Sequence, residues 1–498
     1  MYQSAFLEHR LDKASFRAEE PRLRAELLEA QLELAEKREF PVLILVTGMD
    51  GAGKGAVIQR LYEWLDPRHV RTNGYGEPDE AERARPWMWR YWRDLPPKGA
   101  TGIVFGSWYN DAIHCFAEDA GDETRLVRDL EAIARFERML ASEGALILKF
   151  MLVLSDKEQK KRLKAIAKGR GAGRHVLEEW SSFRRGSPRK ARERNRSLVE
   201  KIIQATNQPH APWIVLASDD PGHRDLSFGR TILDGLRSRL DAPRPAATAP
   251  ATAIIPNLDH RTVLDALDMS LTLTGADYKA RLAAEQDRLA ALTASKGFGR
   301  RAVVAVFEGN DAAGKGGSIR RVTAALDPRR FRVRPVAAPT DEEGAQPYLW
   351  RFWRHLPRKG HVAVFDRSWY GRVLVERVEG FAKPEEWLRA YGEINAFEEE
   401  LSRSGIIVVK FWLAIDKDEQ LRRFQEREQI AFKRFKITSE DWRNREKWDD
   451  YAAAVNDMVD RTSSGHAPWT LVEAKDKRWA RVKVLSTLCD RIEAALQA

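Results

Sequence analysis

Short apolar runs punctuate the chain, separated by longer stretches of mixed polarity. LILVTG (43–48) and VVAVFEG (303–309) are nearly continuous in apolar residues and too short for a buried helix, so they predict strands covered on both faces. Ahead of each lies an amphipathic stretch. Leu23, Leu27 and Leu34 in one, and Leu282, Leu289 and Leu292 in the other, fall near the 3.6-residue period and predict a helix opening each half. A Gly-rich turn and a further helical stretch follow each run. The later apolar runs HVAVFDRS (361–368), IIVVKFWLAI (406–415) and APWTLVEA (467–474) are again bounded by helical text. Strands alternating with helices predict an α/β fold with parallel sheets flanked by helices.

The pattern occurs twice. Lys54 and Lys315 are 261 residues apart, as are Trp89 and Trp350, Trp108 and Trp369, and Lys149 and Lys410. WMWRYWRDLPPKG pairs with YLWRFWRHLPRKG, and KFMLVLSDKEQ with KFWLAIDKDEQ, without a gap. Beyond this the offset becomes 256, with Thr206 through Trp213 matching Thr462 through Trp469. A register this long marks a duplicated domain. The Ala/Pro-rich text of 241–256 reads as the linker between a first domain, 1–240, and a second, 257–498.

Composition narrows the function classes. The net charge of +10 favours a polyanionic partner, whether nucleotide, polyphosphate, nucleic acid or a membrane surface. Two distant cysteines, Cys115 and Cys489, give neither a disulfide framework nor a metal spacing. The N-terminal text lacks a signal-peptide core and no apolar run is long enough to span a bilayer, so a cytoplasmic protein is expected.

Candidate chemistry starts at GNDAAGKGGS (309–318) and its near copy GMDGAGKGAV (48–57). Each has the spacing of a phosphate-binding loop (Walker A), set after a strand and before a helix. There, backbone N–H groups and the helix N-terminus face an anion and the lysine adds a point charge. Gly309, Asn310, Ala312, Ala313, Gly314 and Gly316 are expected to line the phosphates, with Lys315 among them. Gly316 stands where a Ser or Thr would hold Mg²⁺. Asp311, inside the loop, is its expected substitute, alongside an alternative role in orienting an acceptor or in bonding a loop N–H. Asp366 ends the strand of VFDRSWYGR, at the carboxyl edge where ligands bind in open α/β sheets and where a carboxylate approaches Mg²⁺ in phosphoryl transfer. Mn²⁺ is the alternative ion. Arg367 and Arg372 are placed to clamp phosphate oxygens. In the first half these three positions read Phe105, Gly106 and Asp111, so that half is expected to be degenerate and inactive, though its loop keeps Asp50 and Lys54. Trp92 and Trp353 recur in both halves and are read as core. Arg423 with Arg427, on one helix face and followed by Lys433 and Arg434, is expected to form a basic lid over the site. The basic run from Lys160 to Arg196 is read as a binder of a long anion or as a flexible segment.

With these motifs on the page, the chain resembles the polyphosphate kinase 2 family. FEGNDAAGKGGSIRR, YLWRFWRHLP, VFDRSWYGRVLVERV, KFWLAIDKDEQLRRF and TSSGHAPWTLVEAKDKRWAR carry the resemblance, which spans most of 257–498 and, more weakly, 1–240. The resemblance implies two duplicated P-loop kinase-like domains, each with a helical lid. Tandem members resemble the polyphosphate:AMP phosphotransferase class, which moves the terminal phosphate of inorganic polyphosphate to AMP, reversibly and with Mg²⁺, to form ADP. GMP is the alternative acceptor. The resemblance assigns Asp311 and Asp366 to metal and acceptor, Lys315, Arg367 and Arg372 to transferring charge, and Glu376 to the same site; Arg423 and Arg427 remain the basic lid. It also implies a monomer whose halves pair like a dimer, or a homo-oligomer. The competing readings are a polyphosphate:nucleoside-diphosphate kinase, an ATP-dependent nucleotide kinase, and a non-enzymatic polyanion or nucleic-acid binder with vestigial loops. The intact second half makes nucleic acid the less expected partner.

Overall fold

The computed structural model describes residues 9–118, 122–167, 188–241, 262–430, 437 and 439–497. The linker beyond 241, Lys433, Arg434 and most of the basic run between Lys160 and Arg196 lie outside them.

Each half builds one five-stranded, all-parallel sheet. The first contains β1 (Val42–Gly48), β2 (Val70–Gly74), β3 (Thr101–Phe105), β4 (Leu146–Val153) and β5 (Trp213–Ala217), in the order β2-β3-β1-β4-β5. The second contains β6 (Ala302–Gly309), β7 (Phe331–Pro335), β8 (Val362–Asp366), β9 (Ile406–Ala414) and β10 (Trp469–Glu473), in the order β10-β9-β6-β8-β7. Read from the opposite edge, the second order repeats the first. The central strands β1 and β6 are the apolar runs that precede the glycine loops. Their side chains are buried almost throughout, as strands covered on both faces require.

The opening helices also form as their spacing predicts. Lys13–Lys37 buries Leu23, Leu27 and Leu34 and packs on the helix Pro221–Leu240. Gly275–Ala294 buries Leu289, half-buries Leu282 and Leu292, and packs on Lys477–Gln497. Trp92 and Trp353 are core residues, 5.2 Å in ring-centroid distance from Phe136 and Phe397 respectively.

The compact units follow the two halves with one departure: each incorporates a short segment from the other half of the sequence. One unit holds Met1–Pro78, Arg90–Pro245 and Thr340–Trp350, and the other holds Asp79–Trp89, Ala246–Pro339 and Arg351–Ala498. Within the first, Lys98 N donates to Ala345 O (2.9 Å) and Gln346 Nε2 to Leu95 O (3.1 Å). Within the second, Lys359 N donates to Ala84 O (3.0 Å) and Arg85 Nε to Leu356 O (3.3 Å). Both segments start with a side-chain-capped turn, at Asp79 and at Thr340.

Candidate active site

The loop after β6 is shaped by its neighbours. Gly309 sits at φ +150, and a Cβ there would lie 2.4 Å from Leu413 O on β9, so only glycine fits. Ala312 is held in the left-handed region at φ +65. Gly314, at φ +110, starts the helix Lys315–Thr323 without a capping side chain among the described residues; Gly317 N and Ser318 N close on Gly314 O (2.9 and 3.1 Å), so the N–H groups of Lys315 and Gly316 are the ones that face an external acceptor. Lys315 Nζ folds back to Gly309 O (2.7 Å) and Asn310 O (3.3 Å) across the mouth of the loop. Asn310 Oδ1 accepts from Ile415 N (3.2 Å), pinning the loop to the end of β9. A Cβ on Gly316 would meet nothing within 4 Å, so crowding does not explain the missing hydroxyl.

β8 delivers the second group of side chains. Its register with β6 sets Asp366 opposite Phe307, two residues before Gly309. Arg367 follows at φ +66, an unfavourable conformation for a residue with a side chain, and its guanidinium donates to Asp311 Oδ1 (3.3 Å). The other oxygen, Asp311 Oδ2, accepts from Asn444 Nδ2 (2.8 Å). Loop, strand end and the helix Ser439–Glu446 therefore meet at Asp311. That helix is fastened on its other side through Glu379, which takes Arg443 Nε and Lys447 Nζ, both at 3.0 Å. Arg372 lies in the short 3-10 helix Trp369–Val373 and pairs with Glu376 (3.0 Å) and, more loosely, Glu386 (3.8 Å). Among the described residues no cluster of three or more His, Cys, Asp or Glu forms a metal cage. Asp311 and Asp366 supply hard oxygen donors only, a set that suits a small divalent cation completing its shell with water and phosphate oxygens.

Arg423 is not an anion-binding lid residue. It is 2% exposed, and all five of its N–H groups are spoken for. Nη1 reaches Ala312 O and Ala313 O, both at 3.0 Å, Nη2 reaches Ala474 O (2.7 Å) and Lys475 O (2.9 Å), and Nε bonds Glu419. Burial alone would raise the Glu419 carboxyl, but hydrogen bonds from Arg422 and Arg423 hold it down, to about 2. Arg423 thus grips the loop's carbonyls from behind and keeps the N–H side turned toward the mouth. Arg162 does the same in the first half, bonding Gly51 O (3.1 Å), Ser218 O (2.9 Å) and Asp219 O (2.8 Å). Arg427 lies one turn further along the helix Lys417–Gln429 and is half-buried.

Asn444, Glu308 and Ser368 escaped the sequence reading. Glu308 ends the apolar run of β6, is 5% exposed, and accepts from Ser368 Oγ (2.8 Å). Burial pushes its carboxyl up, to about 7, against the opposing pull of Ser368, Lys315 and Arg367. An acid closing a buried strand, with Thr47 at the matching place in the first half, was a readable signal. Asn444 gave none, since it lies in a helix of mostly charged text after the repeat register has slipped.

The first half keeps the loop and lacks the rest. Gly48 has φ +141 and Lys54 Nζ reaches Gly48 O (2.8 Å) and Met49 O (3.4 Å), as in the second half. Opposite, however, stand Phe105, Gly106 at φ +73, and Asp111, whose carboxylate accepts from Tyr91 OH (2.6 Å).

A family model described as Polyphosphate kinase 2 (PPK2) matches residues 10–242 and again 272–498. A Pseudomonas aeruginosa protein named polyphosphate:AMP phosphotransferase is 52% identical over 497 residues, covering 99% of both chains. One of the same name from Acinetobacter johnsonii is 38% identical over 484 residues, covering 95% of this chain and 96% of the relative. A crystal structure from Pseudomonas aeruginosa PA01, assigned in its description to polyphosphate kinase 2, superposes with a TM-score of 0.90 at 51% identity, over 100% of this chain and 99% of the other.

Proposed function

The chain belongs to the polyphosphate kinase 2 family, and from that premise we propose that it transfers the terminal phosphate of inorganic polyphosphate to AMP, forming ADP. The observation that carries this is the end-to-end likeness to tandem relatives of that name, through both halves and not the second alone.

In this reading the second half does the chemistry. A phosphate oxygen of AMP attacks the terminal phosphorus, and the shortened polyphosphate leaves with the electrons of the broken P–O bond. The attacking oxygen is already ionised near neutral pH, so the difficulty is gathering several anions in line through a loose transition state rather than removing a proton. The loop N–H groups and Lys315 hold the phosphates. Arg367 and Arg372 neutralise charge on the transferring group, Arg372 by exchanging Glu376 for a phosphate oxygen. Asp311 and Asp366 hold Mg²⁺, or Mn²⁺, which when bound supplies further neutralisation of the phosphate oxygens. Asn444 keeps one face of Asp311 fixed while this happens. The net charge of +10 favours a polyanion whose binding weakens steeply with salt.

The test is a donor and acceptor screen: AMP with inorganic polyphosphate and no ATP, followed by chromatography. ADP is expected in proportion to polyphosphate consumed, with GMP, ADP and GDP as competing acceptors. ADP appearing solely when ATP is the donor would refute the reading.

A further inference from the structure

Glu308 is buried beside Lys315, Arg367 and Asp366, yet the reaction just described has no use for it. Its one hydrogen-bond partner among the described residues is Ser368 Oγ, and that same oxygen accepts from Tyr370 N (3.3 Å), capping the 3-10 helix Trp369–Val373. Carboxylate, hydroxyl and amide therefore form one line, which runs from the end of β6 into the turn between Asp366 and Arg372. Both arginines of the site hang from that turn. Arg367 enters it at φ +66, a conformation that is unfavourable for a non-glycine residue and persists where the surroundings over-determine it.

The first half shows the turn without this demand. Gly106 takes φ +73 with no Cβ to object, Thr47 replaces Glu308, and Ser107 Oγ, buried at 0% exposure, has no hydrogen-bond partner among the described residues. Where the residue in the left-handed position carries no side chain for the site, the acid is missing. Where it carries Arg367, the acid is present and bonded.

Resting on the activity proposed above, we infer that Glu308 is a positioning residue for phosphoryl transfer: through Ser368 it fixes the turn that presents Arg367 and Arg372 to the reacting phosphates. The role belongs to its oxygen as an acceptor, so an amide in its place preserves it.

The full chain tests this as wild type, Glu308→Ala, Ser368→Ala, the double variant and Glu308→Gln. In ADP formation from AMP and polyphosphate, each alanine variant is expected to lower kcat about 10–100-fold, the scale of misplaced reacting groups, while KM for AMP moves less than about threefold. The double variant should be no worse than Ser368→Ala within about twofold, because the bond that Glu308→Ala removes is already gone once the hydroxyl is lost. Glu308→Gln should stay within about fivefold of wild type. A folded Ser368→Ala protein with wild-type kcat, additive losses in the double variant, or a Glu308→Gln variant as impaired as the alanine each overturn the inference. If wild type makes no ADP, the activity reading is what fails. Amide exchange across residues 366–372 then decides the positioning claim: at least about tenfold faster in both alanine variants supports it, and unchanged rates overturn it.

Discussion

Two places in the duplicated chain have fared differently. Behind β3 and β4, Lys149 Nζ lies 2.7 Å from Glu137, 3.0 Å from Tyr109 OH and 2.8 Å from Thr206 O. In the second half, Lys410 Nζ lies 2.7 Å from Glu398, 2.8 Å from Tyr370 OH and 2.7 Å from Thr462 O. Trp108 and Trp369 donate to the same carboxylates. At the mouth of the loops nothing comparable holds: at the 261-residue offset Asp366 corresponds to Phe105, Arg367 to Gly106 and Arg372 to Asp111. The buried pair cannot lose one partner without stranding a charge in the core, so folding alone retains it. The site groups lie at the loop mouth rather than in the core, so folding does not demand them in the same way, and under the proposed function the half that lacks them has no catalytic need of them.

That contrast can be broken experimentally. The largest effect expected is from Asp366→Asn, which should lower ADP formation by roughly 10³-fold or more in steady-state assay, the scale of lost electrostatic stabilisation. Residual turnover above a tenth of wild type would place the chemistry elsewhere. Next come Lys149→Met and Lys410→Met. Each strands a buried carboxylate and should cost its own unit about 3–5 kcal/mol, read by hydrogen exchange on β4 or β9. A loss confined to one half would mean that the matching networks do unequal work.

A smaller effect separates the halves by pH. The folded-state pKa of Glu308 is raised from 4.5 to about 7, so the folded chain binds the extra proton and stability falls as pH rises through that window. Glu308→Gln should remove the fall, gaining up to about 3 kcal/mol at pH 8 and little at pH 4. Melting curves against pH check this, with Thr47→Val in the first half as the control expected to leave the pH profile unchanged. The smallest effect is Lys54→Ala, expected to leave turnover within about twofold. A folded but inactive Lys54→Ala protein would overturn the division of labour between the halves.

Much of this was legible in the text. Strand and helix periods, the 261-residue offset and the loop spacing gave the duplicated parallel sheets, because period and repeat are properties of the sequence itself. Asp311, Lys315, Asp366 and Arg367 could be named from the loop spacing and the strand end, and the register of β6 and β8 brings those two stretches together. Arg423 misled because i, i+4 arginines on a helix look the same whether they face solvent or grip a loop from behind. Five carbonyl and carboxylate acceptors, scattered from Ala312 to Lys475, decided its role, and no local pattern announces them. Asn444 was hidden for the same reason, reaching Asp311 from 133 residues away.

The traded segments also set a timetable for synthesis. Every strand of the first sheet has been made by residue 217, yet the unit containing that sheet also includes Thr340–Trp350. At about 5–20 residues per second, a ribosome reaches that segment roughly 6–25 s later. Through that interval the nascent first half holds a complete sheet but an unfinished surface around Leu95 and Lys98, where Gln346 and Ala345 later bond. Asp79–Trp89, in turn, has been made long before the second unit it joins. A chain released early at the linker would therefore leave one body lacking its last piece and one piece lacking its body.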